Sequence, residues 1–235
     1  RFGHDAQYPV TSNWPHLVQH LADFAAQQVQ ASGERVFLVG HSLGGILSVM
    51  AAAQHPDLAR GVLMLDSPLI SGWRATTVGV AKRTQVVSAV SPGRVSRQRR
   101  MSWASTDEAL EHFLKKEVFT RWDPQVLHDY VTHGLHDKDG RRVLGFDRTV
   151  ETAIYNTLPH NLDRLLRRHP LRCPTAFIGG LDSVEMRQVG MALTRRITGG
   201  RIMMLDGSHL FPMEQPLATA AAIEAALLNL SSIAP

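Results

Sequence analysis

The chain has 235 residues, of which 44% are hydrophobic and 20% charged, a composition that predicts a large globular domain and excludes a disordered tail. Its net charge of +4 is local, because residues 67–106 carry seven basic side chains and no acidic one, whereas the rest of the chain is slightly acidic. We therefore expect no nucleic-acid partner and interpret the basic stretch as a solvated face, with attraction of anionic substrates or an acidic membrane surface as the alternative.

The first third of the chain alternates helical and strand patterns. Residues 13–31 have the apolar spacing of an amphipathic helix, and residues 36–39 form a short apolar run typical of a strand buried on both faces. A second helix is predicted at residues 46–55 and a second buried strand at residues 61–65. This strand-helix-strand order predicts a parallel sheet.

The middle of the chain, residues 67–172, has a different pattern of apolar residues. It contains no run of Val and Ile that would indicate a central strand, and residues 137–140 indicate a tight turn between short strands. Helical patterns recur at residues 73–89, 107–120, 124–133 and 149–155. We interpret this segment as a mainly helical insertion, which we call the cap.

The sheet pattern returns after the cap. Strands are predicted at residues 175–178 and 201–205, with helices at residues 184–197 and 217–230. The predicted organisation is therefore a core of residues 1–66 and 173–235, interrupted by the cap at residues 67–172.

The strongest motif follows the first predicted strand and reads Gly40-His41-Ser42-Leu43-Gly44. It matches the G-x-S-x-G pattern, in which a serine on a sharp strand-to-helix turn projects its hydroxyl above the sheet. We expect both glycines to be required because a Cβ at either position would clash. The helix N-terminus would stabilise a developing negative charge.

A serine hydroxyl becomes a nucleophile when a base takes its proton and an acid orients that base. His209 directly follows the last predicted strand, and Asp182 follows the preceding one, so both are expected at the same edge of the sheet as Ser42. We predict Asp182 as the acid. Asp66, which also ends a strand, is kept as the alternative acid, with capping of the turn into the cap as its other role.

Three motifs together resemble one family. The segments GHSLGG, TAFIGGLDS and GSHLFPMEQP occur in the order and spacing of α/β-hydrolase-fold serine hydrolases with a helical cap. The resemblance implies an α/β fold with a mostly parallel sheet flanked by helices. It also implies Ser42 as nucleophile, His209 as general base, Asp182 as orienting acid and Leu43 as a backbone oxyanion donor, with no cofactor and a small, apolar ester as substrate.

The position of the motif departs from this family, because only 35 residues precede Val36 where several strands are usual. We therefore expect the chain to be the C-terminal part of a longer hydrolase, lacking the first strands and the second oxyanion donor. The chain begins at Arg1, which leaves a removed targeting segment open.

Other side chains have weaker patterns. The aromatic residues of the cap are expected to line a substrate pocket or to form the core of the cap itself, and these are Trp73, Trp103, Trp122, Phe146 and Tyr155. His41 is expected to pack behind the serine turn, and Glu214 to begin a helix. The cap residues His128, His133, His136, Asp137 and Asp139 match no metal-ligand spacing, so we expect no metal site.

The sequence leaves several alternatives open. C–C bond hydrolysis and cofactor-free haloperoxidase chemistry use the same fold and residues, and a non-catalytic binding or receptor-like protein would keep the fold without turnover. The single cysteine, Cys173, excludes an internal disulfide, and no apolar run is long enough to predict a transmembrane helix. We expect a cytoplasmic, bacterial protein, the latter because Arg outnumbers Lys, and leave the oligomeric state open, a dimer included.

Overall fold

The computed structural model describes residues 4–70 and 93–233, and the elements below are numbered within them. The strands are β1 (Val36–His41), β2 (Ala59–Leu65), β3 (Ser102–Trp103), β4 (Leu135–Lys138), β5 (Arg141–Leu144), β6 (Thr175–Gly180) and β7 (Ile202–Leu205). The helices are α1 (Pro15–Ser32), α2 (Leu43–Gln54), α3 (Gly93–Arg97), α4 (Thr106–Leu114), α5 (Glu117–Thr120), α6 (Pro124–His133), α7 (Arg148–Asn156), α8 (Leu162–Arg168), α9 (Val184–Val189), α10 (Ala192–Thr198), α11 (Phe211–Glu214) and α12 (Pro216–Ser231).

The described part of the chain contains a parallel sheet with the strand order β1-β2-β6-β7. This confirms the predicted parallel sheet and its strands. His41, the last residue of β1, is paired with Leu65, the last residue of β2. Because these two strands end at the same level, the residues that follow them, Ser42 and Asp66, lie at one edge of the sheet.

Helices cover both faces of the sheet, and the alternation of side chains along a strand divides the core between them. In β2, Val62 and Met64 belong to the hydrophobic cluster that includes residues of α1 and α2. Leu63 and Leu65 belong to a second cluster, which includes residues of α12. The continuous apolar run of β2 is therefore buried on both faces, as the sequence predicted.

The cap has its own small antiparallel sheet, with the strand order β3-β5-β4, and its own hydrophobic cluster. The predicted tight turn is confirmed between β4 and β5, where Asp139 and Gly140 have φ angles of 51° and 70°. Two consecutive positive φ angles are typical of a type I′ hairpin turn. The predicted helix at residues 73–89 lies outside the described residues.

Several elements differ from the sequence predictions. The helix expected at residues 107–120 is divided into α4 and α5, and α3 was not predicted. The helix expected at residues 184–197 is divided into α9 and α10, because Gly190 adopts a φ of 77° that ends the first of them. Helix α8 was not predicted, and its Leu162 and Leu166 pack in the main cluster although the sequence assigned them to the cap. The cap boundary at residue 172 stays a prediction.

Across the described ranges, no helix combines the length and the apolar character needed to cross a bilayer.

Candidate active site

Ser42 occupies the sharp turn between β1 and α2. Its φ and ψ angles are 53° and −118°, a region that non-glycine residues rarely adopt and that costs about 1–3 kcal/mol. The Ser42 backbone N–H donates to the Leu65 carbonyl at 2.8 Å, which fixes the turn to the end of β2. Such strain persists where the surrounding structure determines the conformation, and here it presents the serine at the edge of the sheet.

The two glycines of the motif have different surroundings. A Cβ at Gly40 would lie 2.2 Å from the Gly44 carbonyl carbon, whereas a Cβ at Gly44 would have no heavy atom within 4 Å. The expected clash is therefore present at Gly40 and the expectation was wrong for Gly44. The second glycine of this turn at which a Cβ would clash is Gly45, where it would lie 2.0 Å from the Ser67 Oγ.

His209 lies in the loop between β7 and α11 and contacts both Ser42 and Asp66. Its Nε2 is 2.9 Å from the Ser42 Oγ, and its Nδ1 is 2.7 Å from the Asp66 Oδ1. Because an ionised carboxylate can only accept, the network assigns the proton to Nδ1 and leaves the Nε2 lone pair to accept from the serine hydroxyl. The arrangement can take a proton from Ser42 and stabilise the imidazolium that results.

Asp66 is completely buried directly after β2, with a φ of 40°. Its carboxylate accepts from His209 Nδ1–H, from the Ser183 hydroxyl at 2.6 Å and from the Gly180 backbone N–H at 2.7 Å. A buried carboxylate needs such donors in place of water. The three contacts hold one oxygen of Asp66 against His209.

Asp182, the predicted acid, does not contact His209. Its side chain is 67% exposed, and one oxygen lies 3.9 Å from the Arg121 guanidinium. The turn after β6 directs Ser183 and the Gly180 N–H inward to Asp66, and so leaves Asp182 facing solvent. The structure thus brings the alternative residue, Asp66, and not Asp182 into contact with His209.

His41 lies behind the serine turn, and its Nε2–H donates to the backbone carbonyl of His209 at 2.8 Å. Burial lowers the pKa of His41 below its usual value, because the charged imidazolium would lose its hydration. The hydrogen bond from the neutral His41 ring therefore holds the His209 loop against β1.

This burial predicts a pH effect on stability. Below about pH 6.5 the unfolded chain protonates His41 more readily than the folded protein does, so the free energy of unfolding falls as the pH falls through this range and levels off below the folded pKa. Urea titrations at several pH values measure this effect. We expect His41→Gln, which keeps an N–H donor without titrating, to flatten the decline; an equally steep decline would contradict the assignment.

Two features complete the surroundings of Ser42. The Leu43 N–H is the first of α2 and has no acceptor within the described residues, as expected at a helix N-terminus. Leu43 also forms one wall of a pocket of about 180 Å³. Its other walls are mostly aliphatic, being formed by Ile46, Pro68, Ile70, Leu158, Pro159, Leu162, Glu185, Gln188 and Val189.

Comparison with known families identifies the fold. A family model described as the alpha/beta hydrolase family matches residues 1–222. The chain belongs to the α/β-hydrolase family. The search of curated proteins found no match.

Solved structures resemble this α/β-hydrolase in fold. A peroxisomal α/β-hydrolase of Saccharomyces cerevisiae is 14% identical with a TM-score of 0.69, and the alignment covers 96% of this chain but 62% of that protein. An esterase of Mycobacterium tuberculosis is 21% identical with a TM-score of 0.61, and the alignment covers 89% of this chain and 67% of that protein. E-2-(acetamidomethylene)succinate hydrolase is 22% identical with a TM-score of 0.61, and the alignment covers 89% of this chain and 73% of that protein. The hydrolase thus spans between three fifths and three quarters of the length of these relatives.

Of the cap aromatics that the structure describes, Trp103, Trp122, Phe146 and Tyr155 do not line the pocket beside Leu43. Trp103 is completely buried in the cap cluster and Trp122 packs against that cluster, which corresponds to the alternative of a core within the cap. Phe146 is 39% exposed, and Tyr155 is partly buried, which raises its pKa. Trp73 lies outside the described residues.

Glu214 has a role beyond the helix-start position that the sequence predicted. It lies in the single turn of α11, and its carboxylate accepts from the Ser208 N–H at 2.9 Å and the Ser208 hydroxyl at 2.6 Å. Ser208 precedes His209, so Glu214 holds the loop that carries the histidine. The only sequence signal was an acidic residue in the PMEQP segment after His209.

The remaining candidates are the metal-ligand types and the basic stretch of the cap. Among residues 4–70 and 93–233, no three His, Cys, Asp or Glu side chains are grouped in a way that could hold a metal ion. In the basic stretch, Arg99 pairs with Glu151 at 2.9 Å and Arg100 pairs with Glu108 at 2.5 Å. These two arginines therefore stabilise contacts within the cap.

Proposed function

We propose that this α/β-hydrolase is a serine hydrolase that cleaves small carboxylic esters through an acyl-enzyme intermediate. The observation that carries the proposal is the hydrogen-bonded series from Asp66 through His209 to Ser42. An esterase is among the proteins with a similar fold, which is consistent with this reaction but does not choose the bond that is cleaved.

The proposed reaction has two steps. The Ser42 Oγ attacks the ester carbonyl carbon while its proton moves to His209 Nε2, and the Asp66 carboxylate stabilises the imidazolium. The Leu43 N–H donates to the oxyanion. The tetrahedral intermediate then breaks the bond to the alcohol oxygen, which takes the proton from His209. Water, activated by the same histidine, releases the acid and restores Ser42.

The pocket beside Leu43 suggests the size of the acyl group. A cavity of about 150 Å³ holds a benzene molecule, so a pocket of about 180 Å³ fits an acyl chain of roughly six carbons. Its aliphatic walls favour an apolar chain, and the Glu185 carboxylate at its border disfavours an anionic one. We therefore propose esters with a short, uncharged acyl group as substrates.

The test combines active-site labelling with a series of p-nitrophenyl esters. We expect a fluorophosphonate probe to label Ser42, and kcat/KM to fall at least about tenfold between hexanoate and decanoate, because longer chains exceed the pocket. Peptide mapping locates the label, and release of p-nitrophenol gives the rates.

Ser42→Ala is the control for both measurements, because it removes the nucleophile while leaving the pocket intact. Equal turnover by the wild type and Ser42→Ala would overturn the serine mechanism. Undiminished turnover of decanoate that depends on Ser42 would keep the mechanism and overturn the assignment of the acyl pocket.

A further inference from the structure

Arg121 connects the cap to the loop that carries His209. It lies between α5 and α6, and its guanidinium contacts both carboxylate oxygens of Glu214, with Nε 3.3 Å from Oε1 and Nη2 3.4 Å from Oε2. A planar guanidinium facing both oxygens of a carboxylate restricts the orientation of both groups, which a lysine ammonium would not do.

Glu214 transmits this contact to the histidine loop. Only 6% of its side chain is exposed, and both of its oxygens also accept from Ser208, the residue before His209. Glu214 also packs closely against the start of this loop, because a Cβ at Gly207 would lie 2.8 Å from the Glu214 Oε2. Arg121, Glu214, Ser208 and His209 thus form one continuous series of contacts.

The same turn of the cap makes a second contact with this region. The Asp123 backbone N–H donates to the Met213 carbonyl at 2.9 Å, next to Glu214 in α11. The Asp123 side chain accepts from the Gln125 and Val126 N–H groups and so fixes the start of α6. The position of α6 and the position of α11 are therefore coupled through residues 121–123.

We propose that Arg121 is a positioning residue for His209, acting through Glu214 and Ser208. Without Arg121, the largely buried Glu214 carboxylate loses its counterion and the charged donors that satisfy it, so it is drawn toward water and releases Ser208. His209 then samples positions in which its Nε2 is no longer at hydrogen-bond distance from the Ser42 Oγ. In this way the position of residues 121–123 of the cap determines how well His209 is aligned with Ser42.

The kinetic test rests on the proposed esterase activity. We expect Arg121→Ala to lower kcat about tenfold while KM for a short-chain ester stays within about twofold, because misalignment of a reacting group slows the chemical step without changing the pocket. Arg121→Lys, which keeps the charge, is expected to recover part of the loss. Arg100→Ala removes a cap arginine of similar exposure, paired with Glu108, and is expected to change neither constant.

Hydrogen-deuterium exchange of residues 207–211 in the full chain tests the contact without any turnover. We expect Arg121→Ala to accelerate exchange of the Ser208 amide, and Arg100→Ala to leave it unchanged. Unchanged exchange in Arg121→Ala, or equal acceleration in both variants, would overturn the positioning role. Accelerated exchange in a protein with no Ser42-dependent turnover would support the contact and overturn the proposed function.

Discussion

Asp66→Asn is expected to lower kcat for Ser42-dependent ester hydrolysis by about 10³- to 10⁴-fold, whereas Asp182→Asn lowers it by less than about threefold. Because the Gly180 N–H needs an acceptor, an asparagine at position 66 would turn its oxygen to Gly180 and its amide N–H to His209 Nδ1. The imidazole would then carry its proton on Nε2, facing Ser42, and could not act as a base. The exposed Asp182 makes only a weak ion pair at 3.9 Å.

Steady-state rates of both variants on one short-chain ester make this comparison. Because Asp66 also accepts from Gly180 and Ser183, the unfolding midpoint of Asp66→Asn must be measured alongside, to show that the loss occurs in folded protein. A large loss in Asp182→Asn with a small one in Asp66→Asn would return the acid to the position that the sequence suggested.

The sequence could not choose between these two acids because both follow neighbouring parallel strands. Strand order alone brings Asp66 after β2 and Asp182 after β6 to the same edge of the sheet. The choice depends on the loops: Asp66 turns inward with a φ of 40°, and its donors come from Gly180 and Ser183, on either side of Asp182. No local pattern records which of two adjacent loops will direct its carboxylate inward.

In the fold, too, the elements that a local sequence pattern records were predictable, and those that depend on tertiary packing were not. Strands β2 and β6 were predictable because continuous apolar runs are needed where both faces of a sheet are buried. The apolar run of β1 predicted the strand but not its surroundings, because β1 lies at the edge of the described sheet and its Val39 is 41% exposed. The serine turn was predictable because its motif lies between such a strand and a helix. Helix α8 was not, because its seven residues are too short to establish a period and only tertiary packing on the core stabilises them. The burial of Trp103 likewise depends on how the cap folds upon itself.

The second large effect concerns the glycines of the serine turn. We expect Gly40→Ala to lower the free energy of unfolding by about 3 kcal/mol or more, because its Cβ would overlap the backbone of Gly44, which cannot move without displacing Ser42. Gly44→Ala is expected to raise it by about 0.4–1 kcal/mol, because the added methyl group meets open space and alanine favours α2. Urea titrations of the two variants measure this difference of sign.

Gly45→Ala tests whether steric overlap determines the loss of stability at these glycines. Its Cβ would lie 2.0 Å from the Ser67 Oγ, which can rotate, and 2.8 Å from the Gly40 carbonyl oxygen, which cannot move as easily. We therefore expect a loss of about 1–3 kcal/mol, between the other two variants. Neither Gly40 nor Gly44 has a positive φ, so space, not backbone conformation, decides which of them alanine can replace. Fluorophosphonate labelling of Ser42 should therefore persist in Gly44→Ala. Equal destabilisation at positions 40 and 44 would mean that both glycines are packed, and would contradict the turn geometry from which the alignment of Ser42 with His209 follows.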